Sequence, residues 1–358
     1  MKVNKIWFFY YCSKVFYMFF AVFIFSRLTI LGDTDRYLAG PTFGELSFIY
    51  NSTAMMDFFA HGLSRVASQF GAHLFFLSLS VYGVYLPLSK MNLTKNQLIT
   101  VLIFLSFPSF GVWTSIVSKE SVTVFFMGVI LAAFIDHFEK RKVTKKLLLL
   151  VSIYLCLLFK PQYFIGISSL FVYLFLIGFF NLKAFGKVFV FLLFVFCSLM
   201  LLYILRDYID MLSLIMPEHF ESDGGSTREN TIWVNKYDVF FNAPYGILVA
   251  FFGPTLGEAL SKPQFFLTFM ESLVICLAFL YLSLKAMLLS VRRQSFNVHL
   301  FSIFFIVTIW LLFVHYPFGV LNPGSAVRYR EGFYAFIVCL FYYTYLRLNF
   351  TPSSVRGY

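Results

Sequence analysis

Three short runs place ionisable side chains where an apolar chain has least reason to carry them. The first, Phe107 to Ser121, holds Pro108, Ser109, Trp113, Ser115, Lys119 and Glu120 within otherwise apolar sequence. Such groups in a membrane segment are costly unless paired or hydrated, which makes them candidates for function. Trp113 marks an outer interface, and at about 1.5 Å per helical residue Lys119 lies ~9 Å deeper. Lys119 is long enough to snorkel back; Glu120 is less so. Neighbours on a helix point about 100° apart, so each needs its own partner, and a polar cavity in the outer half of the membrane is expected.

The second run, Gly32-Asp33-Thr34-Asp35-Arg36-Tyr37, follows the first apolar segment. Asp33 and Asp35 suit a general base or a metal; two acids in a solvated turn with Arg36 as counterion are an equally ordinary reading. The third run, Asn322 to Glu331, carries Arg328, Tyr329 and Arg330. Its arginines are fork-shaped donors for a phosphate or an acidic sugar. A helix starting near Ser325 would add its N-terminal amides to an anion site. A capped, solvated helix start is the plainer alternative. Lys160, Arg206, Arg228, Lys236, Glu258 and Glu271 are lesser candidates, each readable as an interfacial charge.

The elements that must hold these residues are apolar helices. Of 358 residues, 60% are hydrophobic and 13% charged, with 51 Phe and a mean hydropathy of +0.80. That excludes an ordinary soluble globule and a disordered chain. Spans of about 20 apolar residues are read at Ile6 to Leu31, Gly71 to Ser89, Trp113 to Ile135, Tyr163 to Phe180, Val188 to Leu205, Phe265 to Leu289, Leu300 to Tyr316 and Gly332 to Leu346. Gln97 to Phe107 and Leu147 to Phe159 are shorter, as half-spans or re-entrant pieces. Basic loops belong inside: Lys2 and Lys5, Lys90 and Lys95, Lys140 to Lys146, Lys183 and Lys187, Arg292 and Arg293, Arg347 and Arg356. Neighbouring basic loops then require an even number of passes, so both short segments count. The expectation is an all-α polytopic membrane protein of about ten transmembrane helices with both termini cytoplasmic.

One membrane domain, 1–358, is expected, with a first outer loop over 32–70 and an enlarged outer loop over 206–263. Within the first loop, Asp57, His61 and Arg65 recur at spacing four from Met56 to Phe70 and predict a helix lying along the surface. In the second, Glu218 to Thr227 is Gly-, Ser- and acid-rich, a mobile composition. The net charge of +11 is therefore an orientation signal, not an affinity for nucleic acid. The inner side collects most Lys and Arg, with Lys14 near the inner end of the first helix, against only Asp136 and Glu139. The outer side holds a slight excess of acids.

Other patterns are thin. The five cysteines lie in apolar segments without CxxC spacing, and they read as small packed hydrophobes. Histidines show no zinc spacing, and neither a Walker A nor a GxGxxG run is present, so no metal or cofactor is expected. Asn51-Ser52-Thr53 matches a glycosylation sequon, a triplet common by chance.

Taken together the layout resembles bacterial O-antigen and capsule repeat-unit polymerases of the Wzy and EpsG type. The resemblance rests on Gly32, Asp33 and Tyr37 after the first helix; on Pro108, Ser109, Trp113, Ser115, Lys119 and Glu120; and on Gly324, Ser325, Arg328, Tyr329 and Arg330 before the last helix. It implies a GT-C-like bundle in the bacterial inner membrane with its outer loops in the periplasm. There a growing glycan on undecaprenyl diphosphate would be transferred to a lipid-linked repeat unit, in contact with membrane lipid and with a chain-length regulator as a further partner. Asp33, Asp35 or Glu120 would be the base, and Lys119, Arg328 and Arg330 would hold the diphosphate. Arg36, His61, Arg65, Trp113, Lys160 and Tyr329 are further diphosphate- or glycan-binding candidates. The alternatives are a GT-C-type transferase using a polyprenyl-phosphate sugar and, further off, a flippase for lipid-linked oligosaccharide.

Overall fold

Each expected apolar segment falls largely on a helix in the computed structural model, which describes residues 2–40, 47–143, 145–180, 182–222, 228–292 and 298–349. No strand occurs among the described residues. Seven helices are long and apolar enough to cross a membrane, and the chain is an all-α, multi-pass membrane protein. Arg293, Arg356 and residues 223–227 of the segment read as mobile lie outside the described residues. The chain is laid out as two compact units, residues 1–164 with 331–340, and residues 165–330 with 341–358.

The first unit contains α1 (Lys2–Phe23), α2 (Thr34–Ala39), α3 (Ser52–Lys90), α4 (Lys95–Phe104), α5 (Pro108–Trp113), α6 (Lys119–Phe138) and α7 (Lys146–Phe159). Asn51 starts α3 by accepting from the amides of Thr53 (2.9 Å) and Ala54 (3.2 Å), so the sequon asparagine is an N-cap. Inside α3, Ala67 (φ −123°, ψ 18°) and Ser68 (φ 63°, ψ 170°) leave helical geometry. That break separates the expected surface helix from the span.

α3 and α6 meet backbone to backbone. A Cβ on Gly128 would collide with the Gly83 carbonyl, and one on Gly83 with Val124 and Phe125, so only glycine permits this approach. At the other end of the pair, Lys90 Nζ lies 2.9 Å from Asp136 Oδ2 and Arg141 lies 4.0 Å from both Asp136 and Glu139. Both acids expected on the inner side are thus paired with basic residues.

The second unit takes α8 (Pro161–Phe179) from Ile165 onward, then α9 (Ala184–Ile204), α10 (Arg206–Ser222), α11 (Asp238–Phe241), α12 (Ala243–Phe252), α13 (Leu256–Ser261), α14 (Phe266–Arg292), α15 (Val298–Leu321) and both ends of α16 (Pro323–Asn349). Its core sets Trp233, Val239 and Ala243 against Tyr316, Val320 and Leu321, with Trp233 Nε1 donating to Tyr316 Oη at 2.6 Å. Gly246 and Gly319 again allow close approach, here of α12 and α15.

Two stretches between the spans are themselves mostly helical. Most of the described part of 206–263 is helical, including Glu218 to Ser222 at the end of α10. The stretch Pro317 to Glu331 is nearly continuous helix interrupted only at Asn322. Pro323 stands at the first position of α16, where its missing N–H has no intrahelical acceptor to lose.

Candidate functional site

The span read as starting at Trp113 is helical only from Lys119. Between α5 and α6, residues Thr114 to Ser118 leave the helix while remaining buried. Non-helical backbone at membrane depth is tolerated only if protein or water satisfies its polar groups. Here side chains of the first unit supply the partners. The chain just upstream, where α4 gives way to α5, is held in the same way: Tyr10 Oη donates to Leu105 O (3.2 Å), Tyr17 Oη to Ser106 O (2.8 Å) and Tyr334 Oη to Phe104 O (3.4 Å). Lys14 Nζ reaches the carbonyls of Phe110 and Gly111 at 3.4 Å each, and also Thr114 Oγ1. Ser80 Oγ donates to Thr114 O (2.6 Å) and Ser121 Oγ to Ile116 O (2.9 Å).

Lys14, assigned from the sequence to the inner end of the first helix, is instead fully buried against these carbonyls. Val117 is held on both sides of one residue: its N–H donates to His73 Nδ1 (3.0 Å), and its carbonyl accepts from Thr34 Oγ1 (2.9 Å). Because Nδ1 accepts, a neutral His73 carries its proton on Nε2.

This scaffold brings the first two sequence runs together. Ser118 caps α6 by accepting from the Ser121 amide at 3.1 Å, which places Lys119 and Glu120 in its first turn. Lys119 Nζ donates to Thr53 Oγ1 (2.8 Å) and Ser52 Oγ (3.2 Å) at the start of α3. Glu120 is 3% exposed, and its charge acts on the phenol of Tyr37. Tyr37 Oη in turn donates to Asp33 Oδ2 at 3.2 Å.

Burial, then the charges of Asp33 and Glu120, push the Tyr37 phenol up from its ordinary value, so it stays a protonated donor. Arg36 lies 3.5 Å from Asp33 and 3.7 Å from the wholly buried Asp57. Asp35 is exposed on α2, near enough for its charge to act on His73. His61 Nδ1 donates to Leu38 O at 3.0 Å, and its ring packs on Gly40, whose φ of +130° suits glycine alone. His61 therefore fixes the exit of α2.

The remaining candidates are placed differently. Arg65 is exposed further along α3. Trp113 packs edge-on to Phe25 (6.1 Å) beside Ala21, Leu31, Val112 and Ile116. Lys160, at the turn between α7 and α8, lies 5.8 Å above the Tyr163 ring. The third run belongs to the second unit up to Arg330. Asn322 Oδ1 already accepts from the Ser325 amide at 3.0 Å, so α16 begins with a side-chain cap where an anion site was considered. Arg330 is 1% exposed and donates to Phe251 O (2.9 Å) and Ser272 Oγ (2.8 Å). Arg328 is half-buried and lies over the Tyr329 ring at 5.0 Å.

Reading the sequence alone did not single out Tyr37, Asp57 or His73 as site residues. For the first two the signal existed, in the second run and in the spacing-four face. For His73, a lone histidine in an apolar span, there was none. Among the described residues no group of three His, Cys, Asp or Glu is arranged to hold a metal ion. The fold and site define a multi-pass membrane protein with a charged site built against an interrupted helix. Compared with protein families, curated proteins and solved structures, the chain finds no match in any of the three.

Proposed function

We propose that the protein polymerises undecaprenyl-diphosphate-linked repeat units into a surface polysaccharide at the outer face of the bacterial inner membrane. The observation that carries this reading is the convergence of α2 and the start of α6, which groups Asp33, Arg36 and Tyr37 with Lys119 and Glu120 at the break. Polymerisation needs a carboxylate that takes the proton of an acceptor sugar hydroxyl as its oxygen attacks the anomeric carbon of the growing chain. The bond from that carbon to the diphosphate breaks, and undecaprenyl diphosphate leaves with the bonding electrons. Cations stabilise the departing charge. Asp33, half-buried and hydrogen-bonded to Tyr37, is the best-placed base. Glu120 acts on the same phenol through its charge, and Lys119 with Arg36 supplies positive charge. Arg330 has donors committed to Phe251 and Ser272, so it serves the fold of its own unit in this reading.

The test is deletion of the gene in its own host, complementation with variants, and separation of the surface polysaccharide by length. Loss of the protein should collapse the ladder to single repeat units. Asp33→Asn and Glu120→Gln, at unchanged protein level, should each lower polymerisation by roughly 100-fold or more. Lys119→Ala should shorten chains less severely. An unchanged ladder refutes the proposal. Loss of even the first repeat unit would instead favour the single-sugar GT-C transferase, whose base would also sit in the first outer loop.

A further inference from the structure

The helix that follows α9 carries its side chains the wrong way round for a solvent-facing element. On α10, Asp210 and Ser213 are buried (7% and 5% exposed), while Tyr208, Met211, Leu212 and Ile215 are open (57%, 49%, 42% and 52%). The spacing of that apolar set puts all four on one stripe. The buried side is fixed: Asp210 Oδ1 accepts from the Tyr237 amide at 2.6 Å, Asp207 Oδ1 accepts from Tyr237 Oη at 2.6 Å, and Ile209 and Met216 pack on the Trp233–Tyr316 core. Rotation that would hide the stripe would therefore tear polar contacts from the protein.

What lies against the stripe follows from the helix before it. In α9 no residue of the most apolar window is buried in the protein, and apart from the side where Phe191 packs on Phe301 and Phe305 of α15 it faces lipid. Only Leu205 separates α9 from α10, which places the start of α10 where the lipid-facing surface ends. Arg206 stacks on Tyr203 (4.1 Å) and Lys236 on Tyr237 (4.7 Å), amphipathic pairs suited to headgroup depth. The sequence of α10 sets Arg206 against Asp207, Asp210, Glu218 and Glu221, so attraction to anionic lipid is not what holds it.

We infer that α10 is an interfacial helix, with its Tyr208–Ile215 stripe embedded among acyl chains of the leaflet at the C-terminal end of α9. A zwitterionic bilayer is sufficient for it. The inference is independent of the chemistry proposed for the first unit.

The test uses the full chain in phosphatidylcholine nanodiscs, with Cys12, Cys197 and Cys276 replaced by serine. Nitroxide labels are placed at Leu212→Cys, Ile215→Cys and Lys236→Cys. Oxygen should relax the labels at 212 and 215 several-fold more than a water-soluble nickel chelate, and the order should invert at 236. Preference for nickel at 212 and 215 would overturn the inference in favour of water. Dipolar broadening between labels would overturn it in favour of a second copy of the chain. The unmodified protein gives an independent check with a photoactivatable phosphatidylcholine. Adducts are expected on the peptide containing Tyr208 to Ile215; adducts on α9 with none there would overturn the assignment.

Discussion

α6 and α9 have the same length class and opposite surroundings. In the most apolar window of α6, 89% of residues are buried in the protein; in that of α9, none are, although α9 has the higher hydropathy, 2.5 against 1.9. Within a bilayer, apolarity cannot decide which helix goes to the centre, because lipid tails accept leucine as readily as protein does. What decides is close approach and polar bonding. α6 has Gly128 against Gly83, a capped N-terminus and neighbours that satisfy an interrupted backbone. α9 has large apolar side chains facing outward and only Gly186 near its start.

The comparison breaks most directly at the glycine contact. Gly128→Leu drives a side chain into the Gly83 carbonyl and should cost about 3 kcal/mol or more, at the upper end of overpacking penalties. It would appear as loss of folded protein in thermal unfolding in detergent, while Leu193→Ala on α9 should leave the midpoint nearly unchanged. A difference of less than about 1 kcal/mol between the two would show that burial is not what separates these helices.

A smaller effect is expected at the caps. Ser80→Ala removes the hydroxyl bonded to Thr114 O, and His73→Leu removes the acceptor of Val117 N–H. Each should cost about 1–3 kcal/mol, the range for a buried group that loses its partner. His73→Asn, able to accept at the same place, should recover part of it, and the same unfolding assay decides.

The smallest effect concerns an ion pair of the second unit that belongs to neither helix. Arg228 grips Glu258 through two hydrogen bonds (2.5 and 2.9 Å) and holds the carbonyls of Gly319 and Val320. Burial alone would raise the Glu258 carboxyl, but the bonds from Arg228 and Thr255 outweigh it and leave the group below its ordinary value of 4.5. A carboxyl depressed in the folded state stabilises above its unfolded pKa, and that contribution fades as the pH falls through its folded value. The stability gap between the wild type and Glu258→Gln should therefore be constant near pH 7 and close below about pH 4.5. A gap that persists unchanged to pH 3 would contradict the pairing.

The helices were legible because a continuous apolar run needs only counting, and even α4 and α7 announced themselves as short. The kink in α3 was legible too, since Asp57, His61 and Arg65 mark a different periodicity from the span that follows. The break at Thr114 to Ser118 was not, because hydropathy is blind to backbone direction, and serine and threonine pass as tolerable in a span. Its neighbours Lys119 and Glu120 stood out by charge alone. The third run misled through Pro323 and Gly324, as did Pro317 before it, since these residues punctuate loops in water. In this chain Pro317 is carried inside α15 and Pro323 opens α16. Tyr37 and Asp57 lay within patterns that the sequence displayed, but the contact of Arg36 with Asp57 forms only when α2 folds onto α3, a long-range event that no local pattern encodes.

The interruption before α6 also has an order of assembly written into it. Thr34, His73 and Ser80, which bond its carbonyls and amide, and Lys14, which reaches Thr114 Oγ1, are all synthesised before it. Chains emerge from the ribosome N-terminus first, so the irregular segment enters a membrane that already holds most of its hydrogen-bonding partners. Tyr334 of the last helix, which donates to Phe104 O at the end of α4, arrives only afterwards.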